Sequence, residues 1–418
     1  MIIDVDFLNA ASWDDDMPAR TRWLRENEPV CWSEKSQVWL ISKFEDVTTV
    51  SKNQELFSSA HGVRPGHAVR IGLIDEGEPR HAQLRSLLNK GFTPRMVRKL
   101  QAIFEEATHD VLDQVAGRSS CDFVAEIAVP LPIRMIAQMI GIRQEDQDKF
   151  HEWSDAMIAS DGNYDNEEIM AASTQAFAEY SAYVTEIIED RRRQPKDDLI
   201  SILVGAKDGG LLTTFDQQKV HGMHDDEEIE LANDELVMLL VILMVAGNET
   251  TRNTMSLGMQ LLIDNPAERA KLLADFELIP SAVEEILRMS SSVLTFGRTV
   301  MQDTELRGKS LKKGQNVLML YGSANRDAEV FEDPDAFLVE RNPHHLAFGV
   351  GGHFCLGANL ARMELRVLFE ALLRRLPDME YAAGGAVMQP SALVRNCNEL
   401  LVTYTPERAS DDAEEATG

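Results

Sequence analysis

The stretch Phe348-Gly349-Val350-Gly351-Gly352-His353-Phe354-Cys355-Leu356-Gly357 decides how this chain is read. Glycines at 349, 351 and 352 permit tight turns with positive φ and close approach of backbone to a flat partner. From about Leu356 to Leu376, apolar residues recur at three- and four-residue spacing, which predicts an amphipathic helix just after Cys355. A thiol at a helix N-terminus meets unpaired amides and the positive end of the dipole, and both favour thiolate. Such a thiolate is a nucleophile or a metal ligand. The plain alternative is a buried structural cysteine, but core packing has no use for so many glycines.

Outward from this segment, helical periodicity dominates, near 97–116, 122–140, 166–192, 233–264 and 280–289. Strand-like stretches are short: Val38–Ile41, Asn316–Leu320 and Leu400–Tyr404. The expected class is mainly α with small peripheral β-sheets. Residues 205–232 and 407–418 are rich in acids or small residues, and read as a surface loop and a disordered tail. A single domain over 1–406 is expected.

The segment 233–264 is unusual. Asn233 suits an N-cap, with Asp234 and Glu235 in the first turn. It is then apolar nearly all round to Val245, so the helix must be central. Ala246-Gly247-Asn248-Glu249-Thr250-Thr251 next brings polar groups and a glycine into a buried element, at a cost in propensity and desolvation. Either the threonines bond back to carbonyls and Glu249 reaches solvent, or the helix opens locally to hold a ligand and move protons. A broken local rule in a buried element favours the second reading.

Composition narrows the class. The chain has 69 acidic and 41 basic residues, a net charge of −28, so it repels nucleic acid and anionic membrane surfaces. With 44% hydrophobic residues it is globular. Cys31, Cys121, Cys355 and Cys397 form no CxxC pair, which points to a reducing compartment. The N-terminus opens with acids rather than a basic region and an apolar run, unlike a signal peptide. The longest apolar run, Leu236 to Ala246, is about half of the roughly 20 residues a membrane span needs. A cytoplasmic protein with no membrane anchor is expected.

Taken together, these segments resemble the cytochrome P450 family. Phe348, Gly351, Cys355 and Gly357 match its FxxGxxxCxG haem-ligand signature. Residues 246–251 are similar to its AGxE/DTT oxygen-activating segment, and Glu285-Ile286-Leu287-Arg288 to its ExxR. Pro334-Asp335-Ala336-Phe337 with Arg341 resembles the PxxF…R stretch, His81–Arg85 the HxxxR motif, and Ser323–Asp327 the SANRD of bacterial members. Order and spacing match from about residue 20 to 405.

The resemblance implies a haem-thiolate monooxygenase whose haem b is ligated by Cys355. His81, Arg85, Arg298 and His353 are then propionate donors, with Phe348, Gly349, Gly351, Gly357 and Ala361 beside the ring. Glu249 and Thr250 become the acid–alcohol pair that delivers protons, with Ala246 and Gly247 giving O₂ room against the helix. Glu285, Arg288 and Arg341 form a structural network behind the cysteine loop. The reaction implied is RH + O₂ + 2e⁻ + 2H⁺ → ROH + H₂O.

No flavin or nicotinamide segment is visible, so a separate ferredoxin and ferredoxin reductase are expected as electron donors to a monomer. Their docking face is expected at Arg362 and Arg366, with Arg95, Arg98 and Lys99. The substrate pocket is assigned to Val63, Ile242, Leu243, Val293, Leu294, Phe296 and Val394, whose apolar character implies a lipophilic substrate. Arg70 and Arg395 lie in the same pocket-lining segments. Leu56–Pro65 and His345–Gly349 resemble the bacterial branch that oxidises sterol and branched-lipid side chains. A steroid, sterol or terpenoid is therefore the expected substrate. The alternatives are a fatty acid or aromatic substrate, direct use of peroxide, a non-catalytic haem-based gas or redox sensor, and a helical thiol protein without haem.

Overall fold

A computed structural model describes residues 4–66, 72–89, 94–208 and 233–407. The helices are α1 (Met17–Asn27), α2 (Phe44–Lys52), α3 (Arg80–Asn89), α4 (Pro94–Ala116), α5 (Pro130–Ile140), α6 (Gln147–Ala159) and α7 (Glu167–Arg193). They continue as α8 (Leu199–Asp208), α9 (Asn233–Asp264), α10 (Pro266–Ala274), α11 (Ile279–Ser290), the single turn α12 (Tyr321–Ala324) and α13 (Ala358–Arg375). Strands β1 (Val30–Ser33), β2 (Val38–Ile41), β3 (Phe57–Ser58), β5 (Thr295–Val300) and β8 (Asn316–Leu320) form a sheet in the order β1-β2-β8-β5-β3. Only its β2–β8 pair is parallel. A second sheet runs β4 (Ser120–Asp122), β10 (Asn396–Thr403), β9 (Glu380–Gln389), and β6 (Thr304–Leu306) pairs with β7 (Lys309–Leu311).

The 32-residue α9 is the axis of the molecule. Helices α5, α6, α7, α11 and α13 pack around it, which is why its sequence is apolar on every side. At the end of α6, Ser160 to Asn163 turn the chain towards α7, whose cap Asn166 accepts from the Glu168 and Ile169 amides. The main core cluster joins these helices to Cys397, Leu400 and Val402 of β10, while β2, β8 and α2 enclose a smaller one.

Three expectations change. The single helix near 122–140 is instead β4, a π-helical turn (Val124–Ala128) and α5. Asp122 Oδ1 accepts from Val124 N at 2.9 Å, and Pro130 stands at the first helical position, where its missing N–H costs nothing. Strands β5 and β9 were not anticipated; β9 is largely exposed and carries Gly384-Gly385, so its sequence lacks a two-residue alternation. Helix α9 runs unbroken through 246–251, so no local opening exists there. The hydroxyls of Thr250 and Thr254 donate to the carbonyls of Ala246 and Thr250, each at 2.7 Å, and so are satisfied within the helix. Residues 205–208 of the loop anticipated over 205–232 are instead the last turn of α8, while 209–232 and the tail from 408 onward lie outside the described residues.

Candidate active site

The loop before α13 is closed by its own backbone. Cys355 N donates to Phe348 O at 2.9 Å, and Phe354 N to Gly351 O at 3.1 Å. Gly349 and Gly351 take φ of 66° and 80°. A Cβ at Gly351 would stand 2.9 Å from Ser51 O, so this glycine lets the loop press onto α2 rather than onto a flat ligand. Gly357 is different: it lines the cavity, and a Cβ there would meet nothing within 4 Å. Gly357 is also the cap of α13, so Cys355 precedes the helix instead of starting it.

Cys355 opens into a cavity bounded by α9, α13, the cysteine loop and the start of β5. Burial pushes its thiol up, against the pull of the Gly357 amide and the charges of Arg85 and Arg362. Apolar walls of this kind disfavour a free thiolate, whereas a thiol that coordinates a metal is deprotonated outright. Of the expected pocket residues, Val63, Ile242, Leu243, Val293, Phe296 and Val394 line this cavity. Leu294 does not: its N–H donates to Leu393 O at 2.8 Å, and in extended backbone its side chain points away from that of Val293. Ala246, Gly247, Thr250, Phe348, Gly349 and Ala361 line the cavity as well. Gly351 is not among the lining residues. Gly247 also serves packing, since a Cβ there would lie 2.3 Å from Ile136 Cδ1.

One edge of the cavity is cationic. Arg298 is 3% exposed, and its Nη1 donates to Gly297 O at 2.7 Å. His81 and His353 stack with ring centroids 3.9 Å apart. His81 Nδ1 meets Glu78 Oε1 at 2.8 Å, and His353 Nε2 meets Ser59 Oγ at 3.0 Å. Burial, then the neighbouring Arg298, His81 and Arg85, push His353 down to about 2. Burial also lowers Arg85 and Arg298. Among the described residues, no carboxylate is paired with Arg298 or Arg85. A buried Arg298 and a half-buried Arg85 with this shortfall of anions fit a dianionic cofactor.

The expected acid–alcohol pair is split across α9. Thr250 faces the cavity, while Glu249 is 0% exposed and lies on the other side. Arg252 Nη2 stands 2.9 Å from Glu249 Oε2, Ser154 Oγ donates to Oε1 at 3.4 Å, and Asp155 holds Arg252 Nη1 at 3.0 Å. Burial pushes Glu249 up to about 8, with Arg252 opposing and Asp155 reinforcing. Glu249 therefore neither reaches solvent nor touches the cavity. Behind it lies a second cavity of ≈ 290 Å³, lined by His151, Asp155, Arg252 and β9–β10 residues such as Asn396.

Glu285 and Arg288 are both 0% exposed and pair in a fork, at 2.7 and 2.8 Å. Arg288 also donates to the carbonyls of Asn325, Pro334 and Ala336. Arg341 Nε donates to Glu285 Oε1 at 3.0 Å. The three residues from 285, 288 and 341 thus meet in one buried network, in which Glu285 Oε1 also accepts from Leu338 N at 3.1 Å.

Comparison with known proteins is decisive here: the family description cytochrome P450 matches residues 27–377. The chain belongs to the cytochrome P450 family. It is 35% identical over 406 residues to a steroid C26-monooxygenase of Mycolicibacterium smegmatis, covering 96% of each chain. It is 37% identical over 356 residues to a methyl-branched lipid omega-hydroxylase of Mycobacterium tuberculosis, covering 82% of this chain and 78% of that one. The structure of CYP109E1 from Bacillus megaterium with corticosterone matches at TM-score 0.78 and 34% identity, over 92% of this chain and 97% of that one. This chain is thus a P450 monooxygenase of mainly helical fold. No helix among the described residues is long and apolar enough to cross a membrane.

Other parts of this P450 depart from expectation. Arg362 is not a free docking cation: its Nε and Nη2 donate to Glu284 at 2.7 and 2.9 Å, and it stacks 4.7 Å from the Phe348 ring centroid. Arg366 and Arg98 are exposed, Lys99 pairs with Asp197 at 3.3 Å, and the side chain of Arg95 lies outside the described residues, as does Arg70. Arg395 is not among the lining residues; burial pushes it down to about 10.

Sequence patterning did not single out three residues that matter. Glu284 braces the cysteine loop through Arg362 and His345; burial raises it, but those partners hold it down at about 2. Glu364 lines the cavity and burial pushes it up to about 8. Its spacing from Gly357 and Ala361 on α13 was the available signal. Arg64 also faces the cavity, next to the expected Val63 in the same pocket-lining segment.

Proposed function

We propose that Cys355 ligates haem b and that the enzyme hydroxylates a steroid or a related sterol or terpenoid, with electrons from a separate ferredoxin and its reductase. The haem supplies the iron centre at which O₂ is reduced. Arg298 and Arg85 would hold its carboxylates as cations, with His353 and His81 as neighbouring polar partners. Ile242, Leu243, Val293, Phe296 and Val394 exclude water and orient an apolar substrate beside Thr250. Burial favours the protonated form of Glu249 on the far side of α9, and the Thr250 hydroxyl, which donates to Ala246 O, is the alcohol facing the substrate. Glu285, Arg288 and Arg341 keep the cysteine loop seated.

The observation that carries the haem assignment is the pairing of a cavity-facing thiol with a buried cation edge short of anions. The steroid assignment draws its support from the apolar wall and from relatives named for steroid C26 oxidation. The relative named for a methyl-branched lipid supports a second reading, a branched acyl chain.

The test is spectroscopic. Wild type should give the red-shifted ferrous-CO band and Cys355→Ser should lose it; retention of the band by the variant overturns the ligand assignment. Titration with steroids bearing a side chain, branched fatty acids and aromatics should give a high-spin shift with the steroids at the lowest concentration. A shift confined to the acyl chains selects the second reading.

A further inference from the structure

Among the described residues, one part of the cavity wall is a seam between two loop segments. On one side of it, the segment Val63-Arg64-Pro65 is docked on β5: Gly297 N donates to Val63 O at 2.7 Å, and a Cβ on Gly297 would lie 2.7 Å from Pro65 Cδ. On the other side, the turn after α6 is tied to the N-terminal segment, where Ala10 N donates to Gly162 O at 3.2 Å. Among the described residues, no backbone hydrogen bond joins these two sides. Side chains do. Arg64 Nε and Nη2 donate to the two carboxylate oxygens of Asp161 at 2.8 and 2.6 Å, and Nη1 donates to Thr295 Oγ1 at 2.8 Å. The Tyr164 hydroxyl donates to Asp161 Oδ1 at 2.9 Å. Both ion-pair partners are 11% exposed.

We propose that the Arg64–Asp161 pair is a specificity-determining clasp on the cavity. Arg64 and Val63 line the cavity from one side of the seam, and Ile158, three residues before Asp161, lines it from the other. The two sides are each fixed to different parts of the fold, so they part only when the fork separates and both charges resolvate. A bidentate pair this shielded from water is slow to open. A ligand as broad as a polycyclic lipid needs the seam parted; one as small as imidazole does not. The clasp therefore sorts ligands by size through their rates of arrival, independently of which lipid is the natural substrate.

The test uses haem-coordinating azoles, so it does not depend on the steroid reading. Association of imidazole and of the bulky triaryl imidazole clotrimazole is followed by stopped-flow absorbance in holoenzyme. Asp161→Asn keeps the shape but removes the charge, and should raise the clotrimazole association rate about tenfold while leaving imidazole within twofold. Arg64→Gln breaks the same pair from the other side and stands in if the first variant does not retain haem. A rate ratio of clotrimazole to imidazole equal to wild type overturns the clasp, as does an equal acceleration of both, which marks general loosening. Absence of any azole shift in wild type is a different failure, that of the haem assignment.

Discussion

Glu249 offers a sharp test of whether burial or its arginine partner controls the acid on α9. With its carboxyl at about 8 in the fold against an ordinary 4.5, the native chain keeps a proton that the unfolded chain releases. Stability is therefore fully present below about 4.5 and falls as pH rises towards 8. The slope is about 1.4 kcal/mol per pH unit, so about 4 kcal/mol is lost between pH 5 and pH 8. Glu249→Gln has the same shape and no charge at any pH, so it removes this loss while leaving all other titrations in place. Equilibrium urea unfolding, followed by far-ultraviolet circular dichroism at half-unit steps, should show wild type losing ground to the variant by about that amount. A stability difference that stays flat across the range would refute the reasoning. It would mean that Glu249 is ionised throughout and that Arg252, 2.9 Å away, outweighs desolvation.

Arg288→Ala leaves the buried Glu285 without its fork and three carbonyls without a donor, a loss of about 3–5 kcal/mol; haem content and melting temperature should both fall. Arg298→Leu removes one cation from the cavity edge, so transfer of haem to apomyoglobin should be faster than in wild type. Arg366→Glu reverses an exposed charge and should raise the apparent KM for ferredoxin at low salt with little change in melting temperature. Arg362→Glu instead sets a second carboxylate beside Glu284, and should lower the melting temperature first.

The motifs were legible because each is local. The cysteine segment, the ExxR pair and the polar hexapeptide on α9 are short strings whose spacing survives in one dimension, and their order along the chain identified the family. Apolar periodicity located α4, α7, α9, α11 and α13 because an amphipathic or fully apolar helix writes its burial into every turn. Strand β9 was illegible for the converse reason: an exposed strand with paired glycines has no face to encode. The helix drawn through 122–140 failed because β4 exists only by pairing with β10, 278 residues later from Asp122 to Leu400.

By itself, the sequence determined which chemical groups are present and in what order: a thiol after a glycine-rich turn, an acid beside an alcohol on a central helix, and a glutamate–arginine pair one turn apart. Tertiary structure decided what state those groups are in. The Glu249 carboxyl is pushed up because α6 and α9 together exclude water from it, although Arg252 on its own helix favours the charged form. Arg362 is spent on Glu284 rather than offered to a partner. Arg298 and Arg85 become one cationic edge, with His81 and His353 stacked beside them, only when β5, α3 and the cysteine loop converge. The physical reason is common to all three. Desolvation and charge pairing fall off over a few ångströms, and the neighbours that set them come from parts of the chain far apart in sequence.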